Sequence, residues 1–363
     1  MKILGIETSC DETAAAVVEL HAGTKHQLDN GCHLLSNVVA SSMDLHAQFG
    51  GVVPEIAARS HIEFITPTVR QALTDANCSW DDIDGIAVTY GAGLGGSLLI
   101  GVLAARTLAI AFGKPLYAIN HVEAHVYANF ITRSALPDYR PREKSPTFPM
   151  LAVIVSGGHS QLAVFENHFS YRLLGQTQDD AIGEAFDKVA KILGLPYPGG
   201  PSVSQKAAQG DPLAYTLPKA KLEGNYDFSF SGLKTAVLRL AQAQIGKDYT
   251  YPSTQLAEHL SEPQKADIAA SFEHTAIETI VEKTKKAYIE FSPASVVVAG
   301  GVAASSELRI QLAAALPLPL DFPDQKLCTD NGAMVATLGC YKAASGRPTA
   351  DPYTLDIVPN LSM

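Results

Sequence analysis

Residues 3–19 read ILGIETSCDETAAAVVE, in which two apolar runs flank a short polar turn. The same plan returns at residues 151–166, LAVIVSGGHSQLAVFE. Apolar runs that end in Gly, Ser or Asp alternate along the chain with stretches of helical periodicity, which is typical of an α/β architecture. The two hairpins therefore predict a chain made of two similarly built α/β lobes.

A segment rich in proline and charge, residues 135–149, lies just before the second hairpin. Such a composition is typical of a linker between compact units. We therefore predict a first lobe at residues 1–145, a second lobe at residues 146–345 and a C-terminal tail at residues 346–363.

The composition restricts the class of protein. Apolar residues make up 47% of the chain, which excludes intrinsic disorder, and 27 basic against 37 acidic residues give a formal net charge of −10. An acidic chain is poorly suited to a broad grip on nucleic acid, because phosphate contacts need clustered Lys and Arg. A nucleic-acid substrate would require a local basic patch or a partner chain.

The sequence predicts a cytoplasmic protein that does not enter a membrane. Its start resembles neither a signal nor a transit peptide, and the five cysteines contain no C-x-x-C pair, as expected for reduced thiols. The longest apolar run, residues 98–112, is interrupted by Arg106, and we expect it to be too short to span a bilayer.

His121 and His125 are four residues apart in NHVEAHVYANF. On a helix both imidazoles lie on one face and can share a metal ion, although two packed core histidines would give the same spacing. A zinc-protease reading is weaker, because H-E-x-x-H proteases place the glutamate beside the first histidine. Here Glu123 is two residues further on and would face away.

Two further segments are candidates for ligand contacts. The turn Ser156-Gly157-Gly158-His159 offers backbone N–H groups to an anionic oxygen, with His159 as an added donor, but a simple tight hairpin would look the same. A predicted helix at residues 179–195 presents a row of carboxylates and is followed by Pro198-Gly199-Gly200-Pro201. Together the row and the loop favour a ligand site over a solvated surface. The row consists of Asp180, Glu184 and Asp187.

Acidic residues also occur at two turns. Asp11 and Glu12 in the first hairpin either face solvent or contact a metal or phosphate-bound water. Asp330-Asn331-Gly332 precedes an apolar helix and suits a turn and helix cap. Asp330 could add an oxygen ligand to the histidine pair only if the fold brings it close.

Several motifs, taken together and in order, resemble one family. The chain resembles the tRNA adenosine threonylcarbamoyltransferase family, formerly described as O-sialoglycoprotein endopeptidases, from residue 1 to about residue 345. The blocks that carry the resemblance are ILGIETSCDETAAAVVE, HAQFGGVVPEIAARSH, NHVEAH, VSGGHSQL, DDAIGEAFDKVAKILGLPYPGGP, DFSFSGLKTA, VVAGGVA and CTDNGAMVA.

The resemblance implies an ASKHA fold, the actin- and sugar-kinase-like pair of α/β lobes with a ligand cleft between them. It also implies an acyltransferase that moves the threonylcarbamoyl group from threonylcarbamoyl-adenylate to N6 of the adenosine next to the anticodon. The tRNAs would be those that read codons beginning with A, and AMP would be released. Partners implied by the family are a smaller paralogous ASKHA protein and a P-loop ATPase.

The family's site residues carry over to matching positions. His121, His125 and Asp330 match the ligands of one divalent metal ion, iron or zinc. The adenylate would be held in the second lobe by Ile154, Val155, Ser156, Gly157, Gly158, Asp187 and Gly200. Possible additional contacts are Asp11, Glu12, His159 and Glu184.

One position departs from the family pattern. Ser305 in GGVAASSEL stands where the family usually has an asparagine that contacts the nucleotide. A serine hydroxyl can still form a hydrogen bond, but it lacks the paired donor and acceptor of an amide. No covalent nucleophile is assigned, because the transfer needs none and Cys10 merely lies in the first turn.

Two other functions stay open at this point. A metalloprotease is suggested by the histidine spacing and by the older family name. A non-catalytic, nucleotide-binding subunit of the modification complex is suggested by Ser305.

Overall fold

The computed structural model describes residues 1–21, 31–318, 320 and 322–363. The chain folds into two compact units. The first unit comprises Met1–Thr147 together with Asp321–Met363, and the second comprises Phe148–Leu320. The predicted α/β class is confirmed, since each unit combines one sheet with packed helices.

The first unit contains a six-stranded sheet in the order β5-β4-β1-β2-β3-β6. The predicted first hairpin is confirmed as an antiparallel β1–β2 pair, while β4 runs parallel to β1 and to β5. The described strands of this sheet are β1 Lys2–Glu7, β2 Glu12–Glu19, β3 Cys32–Ser41, β4 Gly85–Gly91, β5 Leu116–Asn120 and β6 Ile131–Ser134.

Helices cover both faces of this sheet. Leu4 and Ile6 of β1 belong to a hydrophobic core that α2 and α3 complete, so the intervening Gly5 faces the other side. A Cβ at Gly5 would lie 2.4 Å from the carbonyl oxygen of Gly332, so only glycine lets α11 pack this closely. The helices of this unit are α1 Met43–Ala47, α2 Pro54–Asp75, α3 Gly95–Phe112, α4 His121–Tyr127 and α11 Gly332–Ala344.

The C-terminal part of the chain differs from the predicted division. Helix α11 lies on β1 and β2, and Ala350 bridges to Leu116 of β5. Arg106 donates hydrogen bonds to the carbonyl oxygens of Pro352, Tyr353 and Leu355. Residues predicted to end the second lobe and to form a tail therefore belong to the first unit.

Helix α3 also departs from expectation. It has 18 residues and is long and apolar enough to cross a membrane by length and composition alone, contrary to the predicted shortness of this run. Its Val102, Ala105 and Ala109 lie in the hydrophobic core of the first unit. One face of α3 is thus packed into the first unit, and Arg106 is bound to three carbonyl groups of the same unit.

The second unit contains a four-stranded sheet in the order β10-β7-β8-β9. The second predicted hairpin is confirmed as the antiparallel β7–β8 pair, and β10 runs parallel to β7. The described strands are β7 Met150–Val155, β8 Ser160–Asn167, β9 Ser170–Gln176 and β10 Ser295–Ala299.

The helices of the second unit pack around one long helix, α9, which contacts α6, α7 and α10. The predicted helix at residues 179–195 is the shorter α5, which begins at Ile182, ends at Leu193 and is capped by Gly194 with a φ of +69°. The helices are α5 Ile182–Leu193, α6 Gly199–Ala207, α7 Ser231–Gln244, α8 Leu256–His259, α9 Glu262–Phe291 and α10 Ser306–Ala315.

Candidate functional site

The two histidines lie on α4, a short, fully buried helix that follows β5 directly. Asn120 caps this helix, because its Oδ1 accepts hydrogen bonds from the backbone N–H groups of Val122 and Glu123 at 2.8 and 3.2 Å. The four-residue spacing places the rings of His121 and His125 side by side, with centroids 4.7 Å apart. The cap therefore fixes the helix turn that presents both imidazoles.

Asp330 reaches the same place from the segment before α11. Its Oδ1 lies 3.2 Å from Nε2 of His125 and 3.6 Å from Nε2 of His121. The next residue, Asn331, caps α11 by accepting a hydrogen bond from the N–H of Met334 at 3.0 Å. The fold thus brings together three candidate ligands, with one ligand atom from each lying within 4.8 Å of the others.

His125 supplies a physical reason for a cation at this point. Its side chain is 1% exposed, Nδ1 makes no hydrogen bond, and Nε2 faces the Asp330 carboxylate at 3.2 Å without the geometry of a hydrogen bond. Buried polar atoms without partners are rare because they lose their hydration without compensation. Two imidazoles and a carboxylate form a donor set that suits zinc or iron, so the residues present fit one divalent metal ion.

Glu7, at the end of β1, supports His121 from behind. This carboxylate is fully buried and accepts hydrogen bonds from the Ser9 N–H and the Thr89 hydroxyl, both at 2.5 Å. Its Oε2 lies 3.4 Å from Nδ1 of His121, and the Ser9 hydroxyl lies 3.1 Å from the same nitrogen. With Nδ1 engaged here, Nε2 faces Asp330, which is the arrangement that outer carboxylates give to metal-bound histidines.

The charges at the site act on one another. Burial alone would lower the pKa of His121, but the carboxylates of Asp330 and Glu7 raise it to about 9. Burial would raise the pKa of Glu7, yet the nearby His121 holds it below its usual value. A metal ion would have to replace the proton on His121. The carboxylates of Asp330 and Glu7 favour positive charge at this point, whether a proton or a metal ion carries it.

The turn of the first hairpin is held by Ser42 and by the two end residues of the HAQFGGVVPEIAARSH segment, His46 and His61. Nε2 of His61 lies 3.0 Å from the Cys10 carbonyl oxygen, and the Ser42 hydroxyl donates to the Asp11 carbonyl oxygen at 2.7 Å. His46 in turn lies 3.1 Å from the Ser42 hydroxyl through its Nε2. His46 and His61, both buried, thereby fix the backbone that carries Asp11 and Glu12.

The side chains of this turn are poor nucleophiles. Burial raises the pKa of the Cys10 thiol well above its usual value, and the carboxylate of Asp11 adds to that effect. Burial, together with Asp330 and Asp11, also raises the pKa of Glu12 to about 10. A thiol that stays protonated does not attack a carbonyl carbon readily.

In the second unit the turn after β7 is open. The Ser156 N–H donates to the His159 carbonyl oxygen at 2.8 Å, which closes the turn. Gly157 and Gly158 are exposed, and a Cβ at either position would meet nothing within 4 Å. No packing requirement in this unit therefore explains the two glycines, whose open backbone leaves room for a ligand.

The turn and α5 are joined by backbone hydrogen bonds. The N–H groups of Gly183 and Glu184 donate to the carbonyl oxygens of Ser156 and Gly157 at 3.2 and 3.1 Å. Ile154 and Val155, in contrast, are fully buried in β7. Their side chains are therefore not available to a ligand, and only their backbone could contribute to this site.

The predicted carboxylate row is divided by the structure. Asp180 precedes α5 and forms ion pairs with Lys188 and Lys234 at 2.7 and 3.1 Å, so it does not belong to the helix face. Asp187 accepts a hydrogen bond from the Gly199 N–H at 2.7 Å, which places it beside the start of α6. The predicted Pro-Gly-Gly-Pro loop is instead the cap and first turn of this helix. The sequence reasoning missed Lys188, whose four-residue spacing from Glu184 was the available signal.

Ser305 has a structural task of its own. Its hydroxyl accepts a hydrogen bond from the Leu308 N–H at 3.3 Å and so caps α10. It follows Gly300, whose φ of +91° and close approach to the Val155 carbonyl oxygen both require glycine. The serine hydroxyl is thus oriented by the helix it caps.

Comparisons with known proteins agree with one family. The family model for tRNA N6-adenosine threonylcarbamoyltransferase (TsaD) matches residues 33–337. The protein of that name from Thermomicrobium roseum is 46% identical over 353 residues, covering 95% of this chain and 93% of that protein. The one from Symbiobacterium thermophilum is 47% identical over 364 residues, covering 99% of this chain and 96% of that protein.

Among solved structures, component A of (R)-2-hydroxyglutaryl-CoA dehydratase from Acidaminococcus fermentans is 15% identical to this chain. The match covers 95% of this chain and 99% of that one, with a TM-score of 0.48.

Proposed function

The chain belongs to the tRNA N6-adenosine threonylcarbamoyltransferase family, and we propose that its donor is threonylcarbamoyl-adenylate and its target is adenosine 37 of tRNAs that read codons beginning with A. The N6 amine forms a bond to the carbamoyl carbon. The bond between that carbon and the phosphate oxygen breaks, AMP leaves, and the amine loses a proton to solvent.

His121, His125 and Asp330 would hold one divalent metal ion, either iron or zinc. When bound, such an ion supplies a Lewis acid that orients and polarises the oxygens of the threonylcarbamoyl group. The single observation that carries this assignment is the buried His125, whose nitrogens make no hydrogen bond and whose Nε2 faces the Asp330 carboxylate. Glu7 and Ser9 hold the His121 ring in the orientation that leaves Nε2 for the ion.

The adenylate would bind to the second unit. We assign its phosphate to the backbone N–H groups of Gly157 and Gly158, because open glycine turns bind anionic oxygens. Asp187 of α5, Gly200 in the first turn of α6 and the hydroxyl of Ser305 would complete the nucleotide contacts. His159 and Glu184 lie at the same turn and helix start and are possible additional contacts, as are Asp11 and Glu12 in the first unit.

A transfer assay with tRNA, threonylcarbamoyl-adenylate and the purified partner proteins tests the proposal. We expect His121→Ala to lose bound metal and at least 100-fold of the transfer rate, since a direct ligand is removed. His259→Ala is the matched control, because this exposed histidine of α8 is outside both candidate sites. Metal analysis of the purified protein identifies the ion as iron or zinc.

Other outcomes would point to the alternatives. Unchanged transfer in His121→Ala would remove the metal assignment, and nucleotide binding without any transfer would leave a non-catalytic subunit. Peptide cleavage dependent on His121 would revive the metalloprotease. The last is disfavoured by Glu123, which is two residues from His121 instead of one and is buried in α4.

Partner proteins and location follow from chemistry as well as from the family. With a net charge of −10, the chain needs help to hold a polyanion, which a smaller paralogous ASKHA protein and a P-loop ATPase could supply. All five cysteines are unpaired thiols, in keeping with a reducing cytoplasm. We therefore place the enzyme in the cytoplasm, acting on tRNA without a membrane.

A further inference from the structure

A second group of metal-ligand side chains lies on the first unit, at the end of the β2–β3 pair. Glu19 of β2 is directly opposite His33 of β3 in the antiparallel register, and directly opposite residues share one face of a sheet. His21 follows Glu19 by two residues, and the Leu20 N–H still donates to the Met1 carbonyl oxygen at 2.8 Å. Because side chains alternate along extended chain, His21 points to the same face as Glu19.

The distances within this group suit a single small cation. Nε2 of His21 and Nδ1 of His33 lie 3.6 and 3.9 Å from Oε2 of Glu19, and one ligand atom from each residue is within 4.8 Å of the others. Tetrahedral zinc with bonds of about 2.0–2.1 Å places its ligand atoms roughly 3.4 Å apart. Small side-chain rotations are therefore enough to reach that geometry.

The three side chains differ in exposure and therefore in how much each must be ordered on binding. Glu19 and His33 are 22% and 25% exposed, so the sheet already restrains them. His21 is 56% exposed and can rotate onto an ion that the other two have bound. The entropy cost of binding thus falls mainly on one side chain.

We propose that Glu19, His21 and His33 form a second metal site, which binds one zinc-like divalent ion with its fourth coordination position left to water. Two imidazoles and one carboxylate favour such ions over Mg²⁺ or Ca²⁺, which prefer sets of oxygen ligands. The site shares no residue with His121, His125 and Asp330, so it does not depend on the proposed function. A bound ion would tie β2 to β3.

One neighbouring charge limits the affinity. Arg133 of β6 is opposite His33 in the parallel β3–β6 register and therefore lies on the same face. Burial lowers the pKa of His33 and Arg133 adds to that effect, which weakens the competition of a proton with a metal ion for this ring. The same guanidinium repels an incoming cation, so we expect affinity in the micromolar range, with Arg133→Gln binding several-fold more tightly.

Zinc titration of the full-length chain tests the site, with His121→Ala and His125→Ala combined to remove the first one. We expect one remaining micromolar site, weakened at least tenfold by His21→Ala or Glu19→Gln and unchanged by His259→Ala. The tighter binding of Arg133→Gln separates a built site from scattered surface binding. No remaining zinc site, or equal affinity in His21→Ala, would overturn the proposal.

If the doubly substituted background does not fold, the same question is answered in the otherwise unchanged chain by counting bound zinc. Two equivalents should fall to one in His33→Ala, while circular dichroism checks the fold. A count that stays the same in His33→Ala contradicts the site.

Discussion

The turns of the two hairpins, after β1 and after β7, connect antiparallel strands in the same way but differ in burial. The turn after β1 is packed inward, with Glu7, Thr8 and Ser9 at most 2% exposed. The turn after β7 has two exposed glycines with empty space beside them. One turn supports the candidate metal ligand His121 from behind, and the other leaves backbone open on the outside.

This contrast predicts that metal binding and nucleotide binding can be lost separately. The strongest test is Asp330→Asn, which keeps the size of the side chain but removes its charge from the candidate metal centre. We expect metal affinity to fall by more than 100-fold, with a matching loss of transfer, while adenylate binding is retained. Metal-chelator competition and calorimetry with a non-hydrolysable adenylate check the two halves, and joint loss of both would break the comparison.

Glu7→Gln tests the inward side of the first turn. Because the neutral amide no longer holds Nδ1 of His121 as a carboxylate does, we expect metal affinity to fall by about 10–100-fold. Thr89→Val is the matched control, since it removes the other hydrogen bond to Oε2 without touching the histidine. Chelator competition measures the affinity, and nitrogen NMR of His121 shows whether its tautomer changes.

A purely structural role for Glu7 gives a different pattern. In that case Glu7→Gln and Thr89→Val would lower the melting temperature equally, and neither would change metal affinity beyond its effect on the folded fraction.

Gly157→Val tests the outward side of the second turn. A Cβ at this exposed position meets nothing within 4 Å in the free protein, so we expect the fold to be unaffected. We expect adenylate affinity to fall about tenfold, which corresponds to about 1.4 kcal/mol, with metal content unchanged. Equal adenylate affinity in the variant, measured by calorimetry, would show that the open turn is not a ligand contact.

The smallest expected effect is on the pH dependence of stability. It arises from His61, which holds the turn after β1. Burial lowers the pKa of His61, although its hydrogen bond to the Cys10 carbonyl oxygen opposes that shift. The unfolded chain, with an ordinary histidine pKa of about 6.5, takes up this proton first as pH falls. The folded state therefore loses stability as pH drops below about 6.5 towards the lower folded pKa, and His61 contributes no pH dependence above that window.

Urea unfolding from pH 5 to 8 compares the chain with His61→Gln. The difference between the two free energies of unfolding should change only in the acidic window. A difference that is constant across the range would exclude this role for His61.

The parts predicted from sequence are those set by local patterns. Alternating apolar runs predicted both hairpins, and the spacing of His121 and His125 placed them on one helix face. The approach of Asp330 follows from how α11 packs on β1 and β2, which spacing alone does not encode. The contact of Glu7 with His121 could not be predicted, because a single glutamate at the end of an apolar strand usually faces solvent.

Two glycines indicate where α11 packs. Gly5 lies in a strand and Gly332 at a helix start; a Cβ on Gly5 would clash with α11, and one on Gly332 would clash with β2. Glycine inside a strand often marks the close approach of another backbone. Without knowing the partner of Gly5, however, chain order alone assigned α11 to the second lobe.

The discontinuous first unit also has a consequence for biosynthesis. A ribosome makes His121 and His125 early, but Asp330 and α11 emerge only after the whole second unit has been synthesised. Domains generally fold as they are made, from the N-terminus onwards. In this chain the nascent first unit must wait for its last helix, so products of premature termination before residue 330 would lack one of the three candidate metal ligands.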